Sequence, residues 1–594
     1  MKLLRLKITD PHGFRSLQAG FEYHFRTEWD LEEEQGFAPF VCAGPNGSGK
    51  SNLLEVLAAI FYHMECIYLE NLPDSFRYEE QANPNGFRGE DAIPDGFELE
   101  YLIPVQEMLE VKVNNGQGGV RIVKQLGEAP KWFLLNSDEQ DGAVELAIDQ
   151  TIARQLLPEY ILGYSSGENE ILSLPFFKMR FIQYDEYWQA LKEQLPYPGR
   201  PESRLVYLDS GFSQAILLCN LLFQDADALE PFRKDVGIQA LKEFRIIIQR
   251  SIEVNENQIS AFGSQDESKH ESIEEIVRSH PALTAIENGT TARRYRVNLV
   301  QLLDGDDHTT RKIIPVLKRC ATCWYVDEAS DTLYLDYHVN DATRQAFRKN
   351  FDFEVNKSPI TLFQAFQVML TLNLYSASDD LKAGLYQSES LYVSETVPTL
   401  ASDERIMRFQ NVWVSKKDLN EPVLLKSLSD GEHQLLHTLG LCLLFKNTNS
   451  LFLLDEPETH FNPDWRSNFV TRLHQSFNGA DAHEMLVTTH TPFLISDSRP
   501  EKVLVFSKEN GTVSVSHPDY NTLGASINKI TMTTFGKRET IGGYAQAKLE
   551  ELRQRFEQGE DKGELIAEIN RQFGDSVESI LLIKTILDSM EEQG

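Results

Sequence analysis

A glycine-rich segment is the part of the sequence best suited to chemistry. Residues 44–51 read Gly-Pro-Asn-Gly-Ser-Gly-Lys-Ser and fit the pattern G-x-x-x-x-G-K-S. The glycines let backbone N–H groups turn inward on phosphate oxygens, while Lys50 reaches the terminal phosphates and Ser51 holds magnesium. The segment therefore predicts a site for ATP and Mg²⁺. Its predicted phosphate-binding residues are Gly44, Pro45, Asn46, Gly47, Ser48, Gly49, Lys50, Ser51 and Asn52.

Two adjacent acids follow an apolar segment much later in the chain. Residues 451–454 read Leu-Phe-Leu-Leu, which is typical of a buried strand, and they lead into Asp455 and Glu456. We predict that Asp455 assists magnesium and that Glu456 polarises the attacking water as a general base. His490 follows a second apolar segment, 485–489, and is the expected switch histidine near the terminal phosphate. The alternative for His490 is a purely structural role.

A short signature-like string precedes these acids. Residues 428–432 read Leu-Ser-Asp-Gly-Glu, and Ser429 and Gly431 match the LSGGE-type signature. In that interpretation they place a hydroxyl and helix-end N–H groups beside a phosphate held by a second copy of the chain, so hydrolysis requires a dimer. The alternative is a helix cap, because a serine before a helix with a nearby glutamate satisfies free N–H groups.

One more ligand is expected between the two halves of the site, a glutamine that senses magnesium. Gln183, in the string Phe-Ile-Gln-Tyr at 181–184, is the candidate for nucleotide and metal binding. The alternative is a surface residue on a strand.

The elements that must position these side chains follow from the apolar pattern. Segment 40–43 predicts a strand, and the apolar residues of 53–61 fall on a 3.6-residue period, so the glycine-rich loop joins a strand to a helix. Alternating segments between about residues 70 and 150, such as 97–102 and 109–113, predict antiparallel strands.

Later segments predict a change of architecture. From about residue 236 to 400 the chain is expected to be mostly helical, including Gln239 to Ile252 and Leu362 to Leu374. Residues 503–506 and 512–515 predict a hairpin across Asn-Gly. Two amphipathic helices should close the chain, with one stripe at Leu549, Leu552 and Phe556 and another at Val577, Ile580, Leu581 and Ile583. Core packing is the favoured role of these stripes, and docking of a partner is the alternative.

Composition limits the function further. The formal charge of -33 and the pI near 4.9 disfavour broad coating of DNA. The N-terminus lacks a signal-peptide pattern and the chain has no apolar run of about 20 residues, which predicts a cytosolic protein. Basic clusters at 293–296, 311–319 and 344–349 are interpreted as solvated surface. Cys320 and Cys323 lack a second ligand pair, so we do not expect them to bind a metal.

Two patterns could suggest a nuclease within the chain. Asp95 followed by Glu110 and Lys112 formally fits a metal-dependent nuclease motif, but a solvated sheet explains these residues equally well. The acidic segment 304–308 has no partner glutamate at an obvious spacing. We therefore expect no nuclease site in this chain.

Taken together, the motifs resemble those of the RecF/OLD branch of ABC ATPases. They also resemble the restriction-system-associated ATPases of bacterial anti-phage defence, such as those of Septu systems. The segments that carry the resemblance are 14–17, 44–51, 164–169, 427–434, 455–465 and 489–492. The resemblance covers roughly residues 1–235 and 400–510. Unlike OLD nucleases, the chain shows no Toprim acids after residue 500, and unlike structural-maintenance proteins it shows no long coiled coil.

The resemblance implies an α/β fold: an ABC-type P-loop ATPase head with a mixed sheet and an antiparallel β arm, a mostly helical insertion and a C-terminal helical tail. The implied divisions are an N-lobe at 1–235, the insertion at 236–400, a C-lobe at 401–515 and the tail at 516–594. It also implies a homodimer or higher homo-oligomer that gates a separate nuclease, of HNH type. The alternatives are a RecF-like repair ATPase and a self-contained nuclease.

Overall fold

A computed structural model gives the architecture of most of the chain. The described residues are 1–27, 30–31, 36–104, 117–135, 143–146, 149–166, 172–263, 271–286, 294–304, 313–351, 358–387, 399–477, 483–536 and 541–591. The predicted α/β class, with a mixed sheet and an antiparallel arm, is confirmed. No helix in this part of the chain is long and apolar enough to cross a membrane.

The strands run through all but the last part of the chain. They are β1 Lys2–Ile8, β2 Glu22–His24, β3 Phe40–Ala43, β4 Phe97–Pro104, β5 Gln117–Lys124, β6 Lys131–Leu135, β7 Ala143–Leu146, β8 Tyr160–Ser165, β9 Leu205–Tyr207, β10 Ile238–Gln249, β11 Ser251–Val254, β12 Leu283–Ile286, β13 Arg294–Asn298, β14 Cys323–Asp327, β15 Thr332–His338, β16 Met407–Lys416, β17 Val423–Leu424, β18 Ser450–Asp455, β19 Glu484–Thr489, β20 Val503–Glu509 and β21 Thr512–Ser516.

The helices alternate with these strands and then dominate the C-terminus. They are α1 Lys50–Tyr68, α2 Gln150–Leu156, α3 Leu174–Glu193, α4 Ser210–Phe223, α5 Glu256–Ser260, α6 Ile273–Ser279, α7 Gln301–Asp304, α8 Ile313–Cys320, α9 Asp341–Asn350, α10 Ile360–Thr371, α11 Asp379–Gln387, α12 Asp430–Phe445, α13 Pro463–Ser476, α14 Pro492–Ser496, α15 Ile527–Thr533, α16 Gly543–Glu557, α17 Lys562–Gln572 and α18 Val577–Glu591.

The central sheet brings the two ends of the chain together. Its seven strands lie in the order β21-β20-β3-β19-β18-β8-β9. All neighbours are parallel except β20 and β21, which form the predicted hairpin. Every residue of β3, β18 and β19 is buried, as expected for parallel strands that are covered on both faces.

The predicted antiparallel arm is a six-stranded sheet in the order β2-β1-β4-β5-β6-β7. One buried apolar cluster joins α1 to the strands of this arm and to strands of the central sheet. The periodic residues Leu53, Leu57 and Ile60 of α1 are at most 1% exposed, so the helix after the glycine-rich loop is firmly held. Segment 97–102 is part of β4, whereas 109–113 lies outside the described residues.

The insertion differs from the prediction. Gln239 to Ile252 is not helical, because β10 and β11 occupy this segment. The β-branched run 246–248 favours an extended chain, and β10 is the central strand of a five-stranded sheet in the order β14-β15-β10-β16-β17. The strands β11, β12 and β13 come after β10 in the sequence and form a separate three-stranded sheet in the order β11-β13-β12. The helical prediction for Leu362 to Leu374 is confirmed by α10 and the short 3-10 helix that follows it.

The C-terminal region also departs from the prediction, since it contains four described helices rather than two. Helices α16, α17 and α18 share a small core of their own. Leu549 and Leu552 are buried there as expected. In contrast, Val577, Ile580 and Leu581 are 57%, 58% and 57% exposed, so core packing is wrong for these three residues.

Candidate nucleotide-binding site

Four strands of the central sheet end side by side at the candidate site. β3 leads into the glycine-rich loop, β18 ends at Asp455, β19 leads into His490, and β8 ends at Ser165. The register pairs Asp455 with Thr488 on one side and with Ser165 on the other. Because the carboxyl ends of parallel strands meet at one edge, this topology gathers residues from distant parts of the sequence.

The glycine-rich loop has the backbone geometry that phosphate binding needs. Gly44, Gly47 and Gly49 have φ angles of 143°, 75° and 101°, which side chains disfavour. A Cβ on Gly44 would lie 2.3 Å from the carbonyl oxygen of Phe506, so only glycine fits against β20. Gly49 caps the N-terminus of α1 without a side chain, and the helix end is therefore directed at the loop.

Lys50 is held over the loop. Its Nζ donates to the carbonyl oxygens of Gly44 and Pro45, both at 3.0 Å. Burial lowers the pKa of Lys50, while nearby Glu456 and Asp455 act in the opposite direction. The hydroxyl of Ser48 is buried and has no hydrogen-bond partner among the described residues. A triphosphate fits this loop, because it would accept hydrogen bonds from both groups.

The predicted magnesium residues are already joined. The Ser51 hydroxyl donates to Oδ1 of Asp455 at 2.8 Å, and the Thr488 hydroxyl donates to the same oxygen at 2.5 Å. Ser165 donates to the other oxygen, Oδ2, at 3.4 Å. Hydroxyl and carboxylate oxygens are the donor set that Mg²⁺ prefers, so these residues fit the ion.

Glu456 and His490 form the second predicted pair. Nε2 of His490 lies 3.0 Å from Oε1 of Glu456, and both side chains are 36% exposed. The hydrogen bond from His490 is the main reason why the pKa of Glu456 is lowered. Glu456 has a φ of 50°, and its backbone N–H donates to the Thr488 hydroxyl at 3.0 Å. An ionised carboxylate in a fixed orientation can accept a proton from water.

A third acid lies behind this pair. Glu458 is 3% exposed, and its Oε1 accepts a hydrogen bond from the hydroxyl of Thr489, the residue before His490. Its Oε2 is buried without a partner among the described residues. Burial raises the pKa of Glu458 to about 7. This side chain therefore ties the segment after β18 to the end of β19.

The signature residues lie at the exposed start of α12. Ser429 forms a reciprocal capping box with Glu432, in which the serine hydroxyl donates to Oε2 at 3.0 Å and accepts from the Glu432 backbone. The Glu432 carboxylate also pairs with Lys416 at 2.5 Å. The helix-cap interpretation is thus confirmed for Ser429. This cap leaves the helix N-terminus at the surface, where the signature interpretation also requires it.

The start of α12 is fixed to the loop that follows the two acids. A Cβ on Gly431 would lie 2.7 Å from the carbonyl oxygen of His460. The backbone N–H of His460 donates to Oε1 of Gln434 at 2.8 Å, and Gln434 is 3% exposed. Arg466 donates to the carbonyl of Thr459 at 2.7 Å. The start of α12 and the loop that follows Glu456 are therefore joined within one chain.

Gln183 is placed differently from the other predicted residues. It lies in the middle of α3 and is 2% exposed, so the alternative of a surface residue on a strand is wrong. Both polar atoms of its amide lack a hydrogen-bond partner among the described residues. The serine hydroxyl of Ser165, not this glutamine, contacts Asp455.

Several contributing residues were not assigned from the sequence: Ser165, Thr488, Glu458 and Gln434. Ser165 and Thr488 are the last or next-to-last residues of their strands, a position that could have identified them once the strand order was known. Glu458 comes two residues after Glu456, so the sequence shows that it lies near the candidate site but does not show that it is buried.

The nuclease-like patterns have structural explanations where they are described. Asp95 pairs with the buried Lys124 and accepts from the backbone N–H of Gly127. Asp304 pairs with Lys318 at 3.6 Å. Glu110, Lys112 and 305–308 lie outside the described residues.

Comparison with known proteins agrees with part of this description. A family model described as "AAA domain, putative AbiEii toxin, Type IV TA system" matches residues 338–496, which contain the signature, the two acids and His490. Over 117 residues the chain is 24% identical to Protein ea59 of Escherichia phage lambda. That match covers 20% of this chain and 22% of the phage protein, so it spans about a fifth of this relative.

Solved structures with similarity include three heads of SMC proteins. The SmcHead bound to the C-winged helix domain of ScpA has a TM-score of 0.29 at 11% identity, covering 87% of this chain and 97% of that one. The Pyrococcus furiosus Smc head bound to the C-terminal domain of ScpA has a TM-score of 0.30 at 12% identity, covering 87% and 96%. The Thermotoga maritima SMC head domain has a TM-score of 0.28 at 11% identity, covering 88% and 100%.

At such TM-scores these similarities support no functional argument. The assignment rests on the loop at 44–51, the adjoining acids and the matched AAA domain. The chain carries a P-loop ATPase domain. Its fold is that of a P-loop ATPase head with an antiparallel arm.

Proposed function

We propose that this protein hydrolyses ATP between two copies of itself, and that the cycle gates a separate nuclease of HNH type in bacterial defence against phage. The observation that carries the ATPase part is the connected set Ser51, Asp455, Thr488, Glu456 and His490. Each residue has a role that phosphoryl transfer requires.

The proposed roles follow from the geometry. Lys50 leaves the two loop carbonyls and binds the terminal phosphates, while Ser51 and Asp455 hold Mg²⁺, which neutralises phosphate charge when bound. Glu456 accepts the proton of the attacking water, and its lowered pKa keeps it ionised at neutral pH. His490 orients that carboxylate and contacts the terminal phosphate.

Dimerisation is supported by the exposure of the signature. Ser429 is exposed, and its hydroxyl bonds only within its own helix turn in the described part of the chain. Residues 45–47 of the phosphate loop are exposed as well. Two such surfaces from opposite copies can enclose a triphosphate, and the N-terminus of α12 then adds N–H donors to it.

The role in defence is supported by the motifs. They resemble those of restriction-system-associated ATPases, of which the Septu ATPase PtuA is one, and such ATPases act with a separate HNH nuclease. The matched family is described as a putative toxin of a toxin–antitoxin system, which is also consistent with a defence function.

Glu456→Gln tests the ATPase proposal. We expect hydrolysis to fall by about a hundredfold or more, because a general base contributes at least that much, while ATP binding persists. Light scattering should then detect an ATP-dependent dimer, whereas Lys50→Ala with ATP stays monomeric. Hydrolysis at the normal rate would refute the role of Glu456, and a Glu456→Gln protein that remains monomeric with ATP would refute the shared site.

Co-purification with the product of the neighbouring gene tests the partner. The Glu456→Gln protein should retain a nuclease subunit and change its DNA cleavage when ATP is added. Metal-dependent cleavage by the purified chain alone would favour a self-contained nuclease. Strong, salt-dependent DNA binding without a partner would favour a repair ATPase.

A further inference from the structure

A cavity that is partly open to solvent lies beside the phosphate loop but is separate from it. Its volume is about 330 Å³, within the range of about 300 to 1,000 Å³ that is typical of small-molecule sites. The lining reaches Phe14, Arg15 and Glu55 and includes none of residues 44–52. The cavity continues along α1 past Ala59. It is therefore distinct from the loop that is predicted to bind phosphate.

One wall of the cavity is aromatic. Phe76 and Phe87 are stacked with ring centroids 5.2 Å apart, and Tyr386 meets Phe76 edge-on at 4.7 Å. Tyr62 of α1 also lines the space. A wall of this kind favours a planar ring, because aromatic groups gain energy by stacked and edge-to-face contact.

The wall is held by a buried carboxylate. Asp185 of α3 is 3% exposed, and it accepts from the Lys382 ammonium at 2.6 Å and from the Tyr386 hydroxyl at 3.0 Å. It also accepts from the Ser75 hydroxyl at 2.9 Å. The loop that carries Phe76 and the helix that carries Tyr386 are thus anchored to one residue. These hydrogen bonds hold the aromatic wall of the cavity in place.

The polar part of the lining offers both hydrogen-bond donors and acceptors. Glu55 is 2% exposed, and its carboxylate accepts from Arg15 at 3.1 Å and from Asn52 at 3.3 Å. A carboxylate has about four lone-pair sites, so it can accept further hydrogen bonds. Burial raises the pKa of Glu55 to about 7. Arg15 and Lys178 supply cationic donors to the lining.

From the aromatic wall and this mixed polar edge, we propose that the cavity binds a purine ring. A purine offers a planar face for Phe76 and Tyr386, together with N–H donors for Glu55 and nitrogen acceptors for the cationic side chains. The ring can come from a free nucleoside or from the base of the ATP on the phosphate loop. Because residues 44–52 do not line the cavity, we expect a free nucleoside.

Filling the cavity tests this inference. Ala92, in a loop that lines the cavity, is partly buried and belongs to the lining, so Ala92→Trp should occupy the space. Ala82, in the same loop, is exposed and does not line the cavity, so Ala82→Trp is the matched control. Calorimetric titration with adenosine and with guanosine should show binding to the wild type and to Ala82→Trp. Affinity for Ala92→Trp should be weaker by about tenfold or more.

A second titration distinguishes between a free nucleoside and the base of ATP as the source of the ring. If a nucleoside binds with unchanged affinity to protein saturated with a non-hydrolysable ATP analogue, the ring is a free nucleoside. If the analogue excludes the nucleoside, and Ala92→Trp weakens the analogue but not inorganic tripolyphosphate, the ring is the base of ATP. Both results support a purine site.

The proposal is overturned if neither nucleoside binds the wild type at millimolar concentration and Ala92→Trp leaves affinity for the ATP analogue unchanged. Comparable melting temperatures for the two tryptophan variants exclude misfolding as the cause of a difference. The assay measures binding without turnover, so it can succeed even if the proposed ATP hydrolysis fails, and the reverse also holds.

Discussion

The two halves of the candidate site differ in how complete they are within one chain. In the predicted magnesium half, Asp455 is buried, Ser51 is partly buried, and the two side chains are hydrogen-bonded to each other. In the signature half, Ser429 is exposed, and its described side-chain hydrogen bonds are those of a helix cap. From this difference we expect that nucleotide binding needs only the single chain, whereas hydrolysis needs a second copy. Changes in the two halves should therefore have separable effects.

The largest effect is expected for Lys50→Ala. Removal of the ammonium should weaken ATP binding by about a hundredfold or more, because a charge-assisted contact to the terminal phosphates is lost. Equilibrium binding of a fluorescent ATP analogue to dilute, monomeric protein measures this effect. If the signature half also built the monomer's binding site, Ser429→Asn would weaken binding as strongly, and the comparison would fail.

Ser429→Asn should affect hydrolysis alone. Asparagine caps helices about as well as serine, so α12 keeps its start, but the hydroxyl is lost and turnover should fall by about a hundredfold. An equal mixture with Lys50→Ala tests the shared site directly. Mixed dimers contain one intact site, so turnover should recover to as much as about a quarter of the wild-type rate. No recovery would mean that Lys50 and Ser429 serve the same chain.

Glu458→Gln should change the pH dependence of stability. The pKa of Glu458 is raised to about 7 in the folded protein, so its stabilising contribution is complete below about pH 4.5 and is lost as pH rises towards 7. The difference in melting temperature between pH 5 and pH 8 should therefore shrink in the variant. Burial also raises the pKa of Glu55, so the part of the pH dependence that is due to Glu55 remains in the variant. An unchanged difference, equal to that of the exposed control Glu80→Gln, would contradict this view of Glu458.

Gln183→Leu should have the smallest effect on activity. The substitution removes two buried polar atoms without described partners, so the melting temperature should rise while turnover stays within about twofold of wild type. Titration of turnover against magnesium is the decisive measurement. A loss at low magnesium that is rescued at high magnesium would instead support Gln183 as the magnesium sensor.

The sequence was sufficient to predict those parts of the candidate site that consist of contiguous residues. The glycines of the loop at 44–51 indicate the backbone conformation that phosphate binding needs. Asp455 and Glu456 directly follow the apolar residues 451–454. Ser165 and Thr488 could not be found in this way, because their role depends on which strands become neighbours of β18. That order is a property of the whole sheet.

Helical and extended patterns were confused where both fit. In Gln239 to Ile252 the apolar residues satisfy a helical spacing, yet three consecutive isoleucines prefer a strand, and pairing with β15 and β16 decides the outcome. The stripe at Val577 and Ile580 shows a second limit. An apolar stripe predicts a helix, but it does not indicate which part of the protein packs against the apolar face of that helix.

The strand order of the central sheet has a consequence for biosynthesis. β3 and β8 are made early, but the strands that lie between them, β18 and β19, begin only at Ser450. At about 5 to 20 residues per second, the ribosome needs roughly 15 to 60 s to reach that point from the end of β8. During this interval the nascent chain holds open strand edges that can pair wrongly. Chaperone demand should therefore peak before translation ends, and messages broken before codon 450 should yield aggregates.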